Sequence, residues 1–177
     1  MAPRGLVAAL LAALACHAEG RPTAAISPGD TADQVLLGMS HYVTADGVQR
    51  ARVRADTAYF YSGTQSADLH QVHITFYNAV GAETSTLTAR QGTYLWRNGD
   101  MEAHGNVVVV TTDGRTLRTD QLHYNQARNE VTSDVPFIFD GPNRHVEGEG
   151  FTSDPDFKNV VAKHPKGTGG KFTLPNQ

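Results

Sequence analysis

The sequence predicts an all-β protein, an open and twisted sheet structure, and three observations carry that expectation. Turn signals recur about every fifteen residues along the chain. Between the turns, apolar and polar residues alternate with the period of a half-buried strand. A weak pattern of small, apolar and aromatic residues also returns at intervals of about thirty residues, as stacked supersecondary units do.

The chain begins with one basic residue, Arg4, and the apolar run from Gly5 to Ala15. A positive charge ahead of about ten apolar residues makes a signal-peptide core, too short to cross a bilayer, which takes ~20. Residues 1–15 are therefore expected to be a signal peptide. Cys16, the one cysteine of the chain, directly follows Ala13-Leu14-Ala15. That context is similar to a bacterial lipobox, in which the cysteine is acylated and becomes the mature N-terminus. A lone thiol in an oxidising compartment would otherwise have no disulfide partner, so Cys16 is the expected lipid-attachment site. Residues 16–34 contain Gly, Pro, Thr, Ala and Ser with few large apolar side chains, and read as a lipidated tether. Residues 164–177 are rich in Gly, Lys and Pro and read as a disordered tail. The segment between, 35–163, is long enough for one core.

Within that segment the turn signals are Asp46-Gly47, Ser62-Gly63, Val80-Gly81, Asn98-Gly99, Asp113-Gly114, Arg128-Asn129, Asp140-Gly141 and Asp154-Pro155. Asn-Gly and Asp-Gly supply the positive φ angles that two-residue hairpin loops need. Val72, Ile74 and Phe76 alternate with His73 and Thr75, and Ala51, Val53 and Ala55 alternate with Arg52 and Arg54. A two-residue loop at Asn98-Gly99 places Arg97 opposite Asp100 and Trp96 opposite Met101. A similar loop at Asp113-Gly114 places Val110 opposite Leu117. Val107 to Val110 is apolar on both faces, so the sheet there is expected to be covered on two sides or to line a cavity. The last strand is expected over residues 157–163, with Phe157, Asn159 and Val161 on one face and His164-Pro165 as its stop. An open sheet leaves such a terminal strand unpaired, so these three residues are the expected partner-binding edge.

The repeat is more informative than any single strand. Val53, Leu87 and Leu117 align; Ala55, Ala89 and Thr119 follow two positions on; Ala58, Gly92 and Leu122 follow at plus five; and Phe60, Tyr94 and Tyr124 at plus seven. Val146, Gly148 and Phe151 begin a fourth copy. Offsets zero and two share one strand face, whereas five and seven fall on the other. A regular strand cannot bury all four. Each unit must therefore bulge or bend between its small residue and its aromatic, passing from one sheet to a facing sheet. Two packed sheets opening into a groove are expected, lined by Val53, Phe60, Val72, Ile74, Phe76, Leu87, Tyr94, Trp96, Val108, Val110, Leu117, Tyr124 and Phe137.

The segments Leu87-x-Ala89-x-x-Gly92-x-Tyr94, Asn98-Gly99, Gly105-Asn106-Val107, Asp113-Gly114, Leu117-x-Thr119-Asp120-x-Leu122-x-Tyr124 and Val131-x-Ser133 resemble the repeat of the LptC and OstA-like families of lipopolysaccharide export. With leader, tether and one domain, the chain looks most like LptC. The resemblance implies a boat-shaped β-jellyroll whose apolar trough is the lipid-binding site. That trough would receive lipopolysaccharide from an inner-membrane ABC transporter and pass it to the LptA bridge, docked edge to edge on the last strand. It also implies a place on the periplasmic face of the inner membrane, here lipid-anchored, although His17 after the cysteine leaves the outer membrane open. An LptA-like diffusible or outer-membrane bridge, or a structural or adhesive surface lipoprotein, would carry the same repeats.

Composition and spacing argue against other classes. The formal charge is −3 and no dense Lys/Arg cluster exists, so nucleic acid is not an expected partner. Arg50, Arg52 and Arg54 form a basic row best read as a solvated face. Of the eight histidines, His70 and His73 stand three apart and are expected on opposite strand faces. His104, His123, His145 and His164 show no ligand spacing, so no metal is expected. Glu147 and Glu149 read as a solvated strand face rather than a hydrolytic pair. Nucleophile motifs and phosphate loops are absent, and no enzymatic activity and no cofactor are expected.

Overall fold

A computed structural model describes residues 31–45, 47–142 and 144–168. The expected leader, Cys16, most of the tether and residues 169–177 lie outside the described residues. The strands are β1 (Gln34–Ala45), β2 (Val48–Tyr61), β3 (Ser66–Tyr77), β4 (Glu83–Leu95), β5 (Asp100–Thr111), β6 (Thr116–Asn125), β7 (Glu130–Ser133), β8 (Phe137–Gly141), β9 (Arg144–Gly148), β10 (Gly150–Ser153), β11 (Val161–Lys163) and β12 (Lys166–Thr168). They form one sheet, and from β1 to β7 each strand pairs antiparallel with the next. The all-β, open jellyroll expectation holds. No helix among the described residues is long and apolar enough to cross a membrane.

Each long strand serves two layers because it bends where the repeat changes parity. On β2, Val53, Ala55 and Ala58 are buried and Asp56 and Thr57 both turn outward; on β4, Leu87, Ala89 and Gly92 are buried while Arg90 and Gln91 are exposed. Two successive outward residues are the parity break itself. The register slips at the same level between β4 and β5 (Thr88 to Gln91) and between β5 and β6 (His104 to Val107). Positive φ angles mark the bend on β1 at Gly38 (63°), on β3 at Gln71 (52°) and on β5 at Gly105 (72°) and Asn106 (50°). Polar side chains hold the bulge of β5: Asn106 N–H donates to Asp120 Oδ1 (3.2 Å), and the Asn106 amide oxygen accepts from Arg90 Nη2 (2.9 Å). Bulged strands twist more tightly, and a line of bulges folds a sheet onto itself.

The layers separate visibly at β6. Its first half, Thr116 to Thr119, pairs with β8, whereas His123 to Asn125 pair with β7. One branch continues β8-β9-β12 and the other β7-β10-β11. Between them Leu117, Phe137, Phe139, Val146 and Phe151 are each at most 2% exposed. Phe137 and Phe151 meet edge to face at 5.0 Å, a geometry that adds to their area burial. Gly148 permits this approach: a Cβ there would lie 2.6 Å from the Phe137 ring and 2.8 Å from the Lys163 carbonyl.

Several local expectations differ from the structure. The Asn98-Gly99 connection is a four-residue loop in which Gly99 N–H donates to Leu95 O (2.7 Å). Leu95 therefore faces Asp100 and Tyr94 faces Met101, a two-position shift that leaves every side chain on its face. At Asp113-Gly114 the slip is one position. Thr111 N–H donates to Arg115 O (2.9 Å), which leaves the odd loop Thr112 to Gly114 and pairs Val109, not Val110, with Leu117. A one-residue slip exchanges the faces: Val107 and Val109 are 0% and 1% exposed, whereas Val110 is 43% exposed. Asp140-Gly141 belong to β8, with Gly141 paired to Arg144. The strand expected over 157–163 is only Val161–Lys163, and Lys166–Thr168, within the expected tail, pairs with β9.

Val109→Asp and Val110→Asp discriminate the two registers by denaturant unfolding. Burying an unpaired carboxylate at Val109 is expected to cost several kcal/mol. The same change at exposed Val110 is expected to stay within about 0.5 kcal/mol, and a reversed order would contradict the register.

Candidate functional site

Along β1 to β5 the space between the layers is hollow, and the reason lies in side-chain size. The inward positions near the bend are Ala55, Ala58, Ala89, Gly92 and Ala103, where the C-terminal strands carry Leu122, Phe137 and Phe151. The result is an open apolar groove of about 840 Å³. Its first wall is a cross-strand row of Val53, Ile74 and Leu87, flanked by Ala51 and Phe76. The facing wall is the row Phe60, Ala67, Tyr94, Met101, Tyr124 and Val131, each paired with the next across neighbouring strands. Phe60 stacks obliquely near Trp96, with ring centroids 6.1 Å apart, at the lip of this wall. Burial and the nearby Asp100 carboxylate raise the Tyr124 phenol above its ordinary pKa, and its hydroxyl donates to Asn129 Oδ1 (3.3 Å). The lip residue therefore stays neutral.

The structure gathers Val53, Phe60, Val72, Ile74, Phe76, Leu87, Tyr94, Trp96 and Tyr124 around this groove. Leu117 and Phe137 do not line it; they are closed into the C-terminal core. Val108 and Val110 face outward for the register reason given above, and Val108 sits beside Ile138 in a shallow outer depression. Phe157 lines the groove from a loop, 4% exposed, and Asn159 is turned onto Asp154. These two share no strand face with Val161. Ala51, Ala67, Gly92 and Ala103, and Leu36, Met39 and Val43 of β1, were missed as lining residues. For Gly92 the recurrence of small residues at offset five was the available signal.

Polar groups keep to the rim and the outer face. Arg50 is the unpaired residue at the β1–β2 register slip and reaches the groove mouth, whereas Arg54 lies outside against His73 (3.3 Å). His70 and His73 are on the same outer face, because the bend at Gln71 lies between them. His104 contacts Glu102 at 2.7 Å. Glu147 and Glu149 contact different histidines, His145 (3.3 Å) and His164 (2.9 Å). Among the described residues no three His, Cys, Asp or Glu side chains are grouped as metal ligands.

These strands define an open two-layered β-jellyroll with an apolar groove between its layers. The family described as "Lipopolysaccharide-assembly, LptC-related" matches residues 6–161, and the chain belongs to it. Among solved structures it is similar to LptH from Pseudomonas aeruginosa, the LptA-homologous periplasmic component of a conserved lipopolysaccharide transport device. The identity is 19% and the TM-score 0.52, with 71% of this chain and 89% of that chain covered. That likeness shows the shared fold. No curated protein matches the chain.

Trp96, the only tryptophan, reports directly on this groove. An acyl ligand seated between the layers is expected to shift its emission to the blue and protect it from aqueous quenchers. Unchanged emission at saturating ligand would place the ligand elsewhere.

Proposed function

We propose that this chain is a periplasmic carrier in lipopolysaccharide transport, receiving acyl chains in its groove from an inner-membrane ABC transporter and passing them to an LptA-like bridge protein. The single observation that carries the reading is the apolar groove between two β layers, in a member of the LptC-related family. Burying acyl chains in it contributes ~0.8 kcal/mol per methylene without fixing their position. Such binding holds a lipid and still lets it move along the wall. The groove is open to solvent on one side, so a charged, sugar-bearing headgroup can remain in water beside rim residues such as His41 and Arg50.

Handover between jellyrolls needs a docking edge, and among the described residues the sheet has unpaired edges at both ends. Among these residues β1 is paired on one side only, as are β11 and β12 at the far end. An exposed edge recruits a partner strand through its free backbone groups. We assign the bridge protein to the C-terminal edges of the two layers, Val161–Lys163 in one and Lys166–Thr168 in the other, while the Cys16 lipid holds the domain at the periplasmic face of the inner membrane.

A photo-reactive residue replacing Phe76 or Tyr94 is expected to crosslink to lipopolysaccharide in membranes. One replacing Arg97, which is exposed on the loop between β4 and β5, is expected to remain unlabelled. Equal labelling at all three positions would indicate adsorption to the surface instead of seating between the layers.

A further inference from the structure

The hollow ends before the apolar wall does. The row Val53, Ile74 and Leu87 continues in unbroken cross-strand register as Val109, Leu117, Phe139 and Val146. Nothing in the chemistry of the wall changes at that point. Beyond that point the interior is filled by Phe137, Phe139 and Phe151, and at the boundary stands the segment between β10 and β11, which runs from Asp154 to Val160 and reaches the turn between β5 and β6. Pro155, Asp156 and Phe157 of this strap form part of the groove lining, and the Phe157 ring enters the interior against Phe151, at 6.4 Å between centroids.

The strap is tied at both of its contacts. Asp154 accepts from Lys158 N–H (3.0 Å), Asn159 N–H (2.9 Å) and Asn159 Nδ2 (2.8 Å). Arg115 donates through Nη1 to the Phe157 carbonyl and through Nη2 to the Asp156 carbonyl (3.4 Å), while its Nε binds Asp113 at 2.9 Å. Hydrogen bonds from Arg115 and Thr111 hold the Asp113 carboxyl down to about 2, so this anchor is ionised at neutral pH. Phe157 itself has φ 53°. A bulky non-glycine residue adopts that conformation only where its surroundings impose it.

We propose that Phe157, held in place by this strap, is the stop that sets how far an acyl chain reaches along the groove, so that selectivity for chain length resides in the strap. The inference rests on the lipid-carrying reading above. A chain short enough to end against the ring keeps its terminal methylenes between the layers. A longer one must leave its terminal methylenes in water, since the space that would receive them is taken by the Phe157 ring. Arg115 is not part of the lining and acts as a positioning residue through the strap's backbone.

The test is a displacement titration on the mature chain, using an apolar fluorescent probe and a homologous series of saturated fatty acids. For the unaltered protein, affinity is expected to climb with chain length and then level off. In Phe157→Ala the climb is expected to continue over further methylenes, at about fourfold per group. In Arg115→Ala the plateau is expected to move in the same direction by a smaller amount, a change that a general loss of stability would not produce. A plateau at the same length in all three proteins, or a uniform weakening at every length in both variants, overturns the inference while leaving the carrier reading in place. Failure of the unaltered protein to bind any member of the series removes the carrier reading, and the inference falls with it.

Discussion

A strand that must bury positions zero, two, five and seven of its repeat cannot remain flat, and the architecture follows from that constraint. Backbone pleating puts alternate residues on opposite faces, so the apolar set of β2, β4 and β6 reaches one interior only if each strand loses a step in mid-length. Asp56-Thr57 and Arg90-Gln91 are the lost steps, and Gly38, Gln71, Gly105 and Asn106 provide the backbone angles on neighbouring strands. Because the bends stand at one level, they fold a single sheet into two layers instead of producing unrelated kinks. The same line of bends leaves the opposite side open and creates the mouth of the groove.

Side-chain volume then decides which part of the interior is hollow. Protein interiors close to crystal-like density when side chains can fill them, and the C-terminal end does so with Phe137, Phe139 and Phe151. Toward β1 the corresponding positions are alanine or glycine, and the layers, held apart by larger groups such as Ile74, Leu87, Phe60 and Tyr94, cannot collapse over them. An apolar hollow of this kind offers no directional contact to a reacting group and much area to a hydrocarbon chain. Fold and function are thus linked through one sequence property, the placement of small residues beside the bend.

Much of this was legible in the residues. The alternation in β2 and β3, the repeat and the enforced bend could be read without coordinates, because each depends on face periodicity alone. Loop length was the weak point. Asn-Gly and Asp-Gly can close a two-residue turn or end a longer loop, yet only the odd loop at Thr112 to Gly114 exchanged faces and moved Val108 and Val110 outside. Phe157 looked like a strand residue by its spacing with Asn159 and Val161. Its inward turn depends on Asp154 and Arg115, and Arg115 is distant in sequence. The three residues of β12 carry too short a pattern to announce a strand, and their pairing with β9 is a purely tertiary effect.

Everything here depends on a lipid seated between the two layers, and native mass spectrometry of the protein extracted gently from its own membranes tests that most directly. The expected result is a population carrying one acylated, phosphorylated glycolipid, which dissociates as an intact lipid on activation and is lost when Phe76 is replaced by arginine in a variant shown by circular dichroism to be folded. Protein that emerges free of lipid under conditions that preserve other lipid complexes, or that retains the same lipid after the Phe76 replacement, would contradict it.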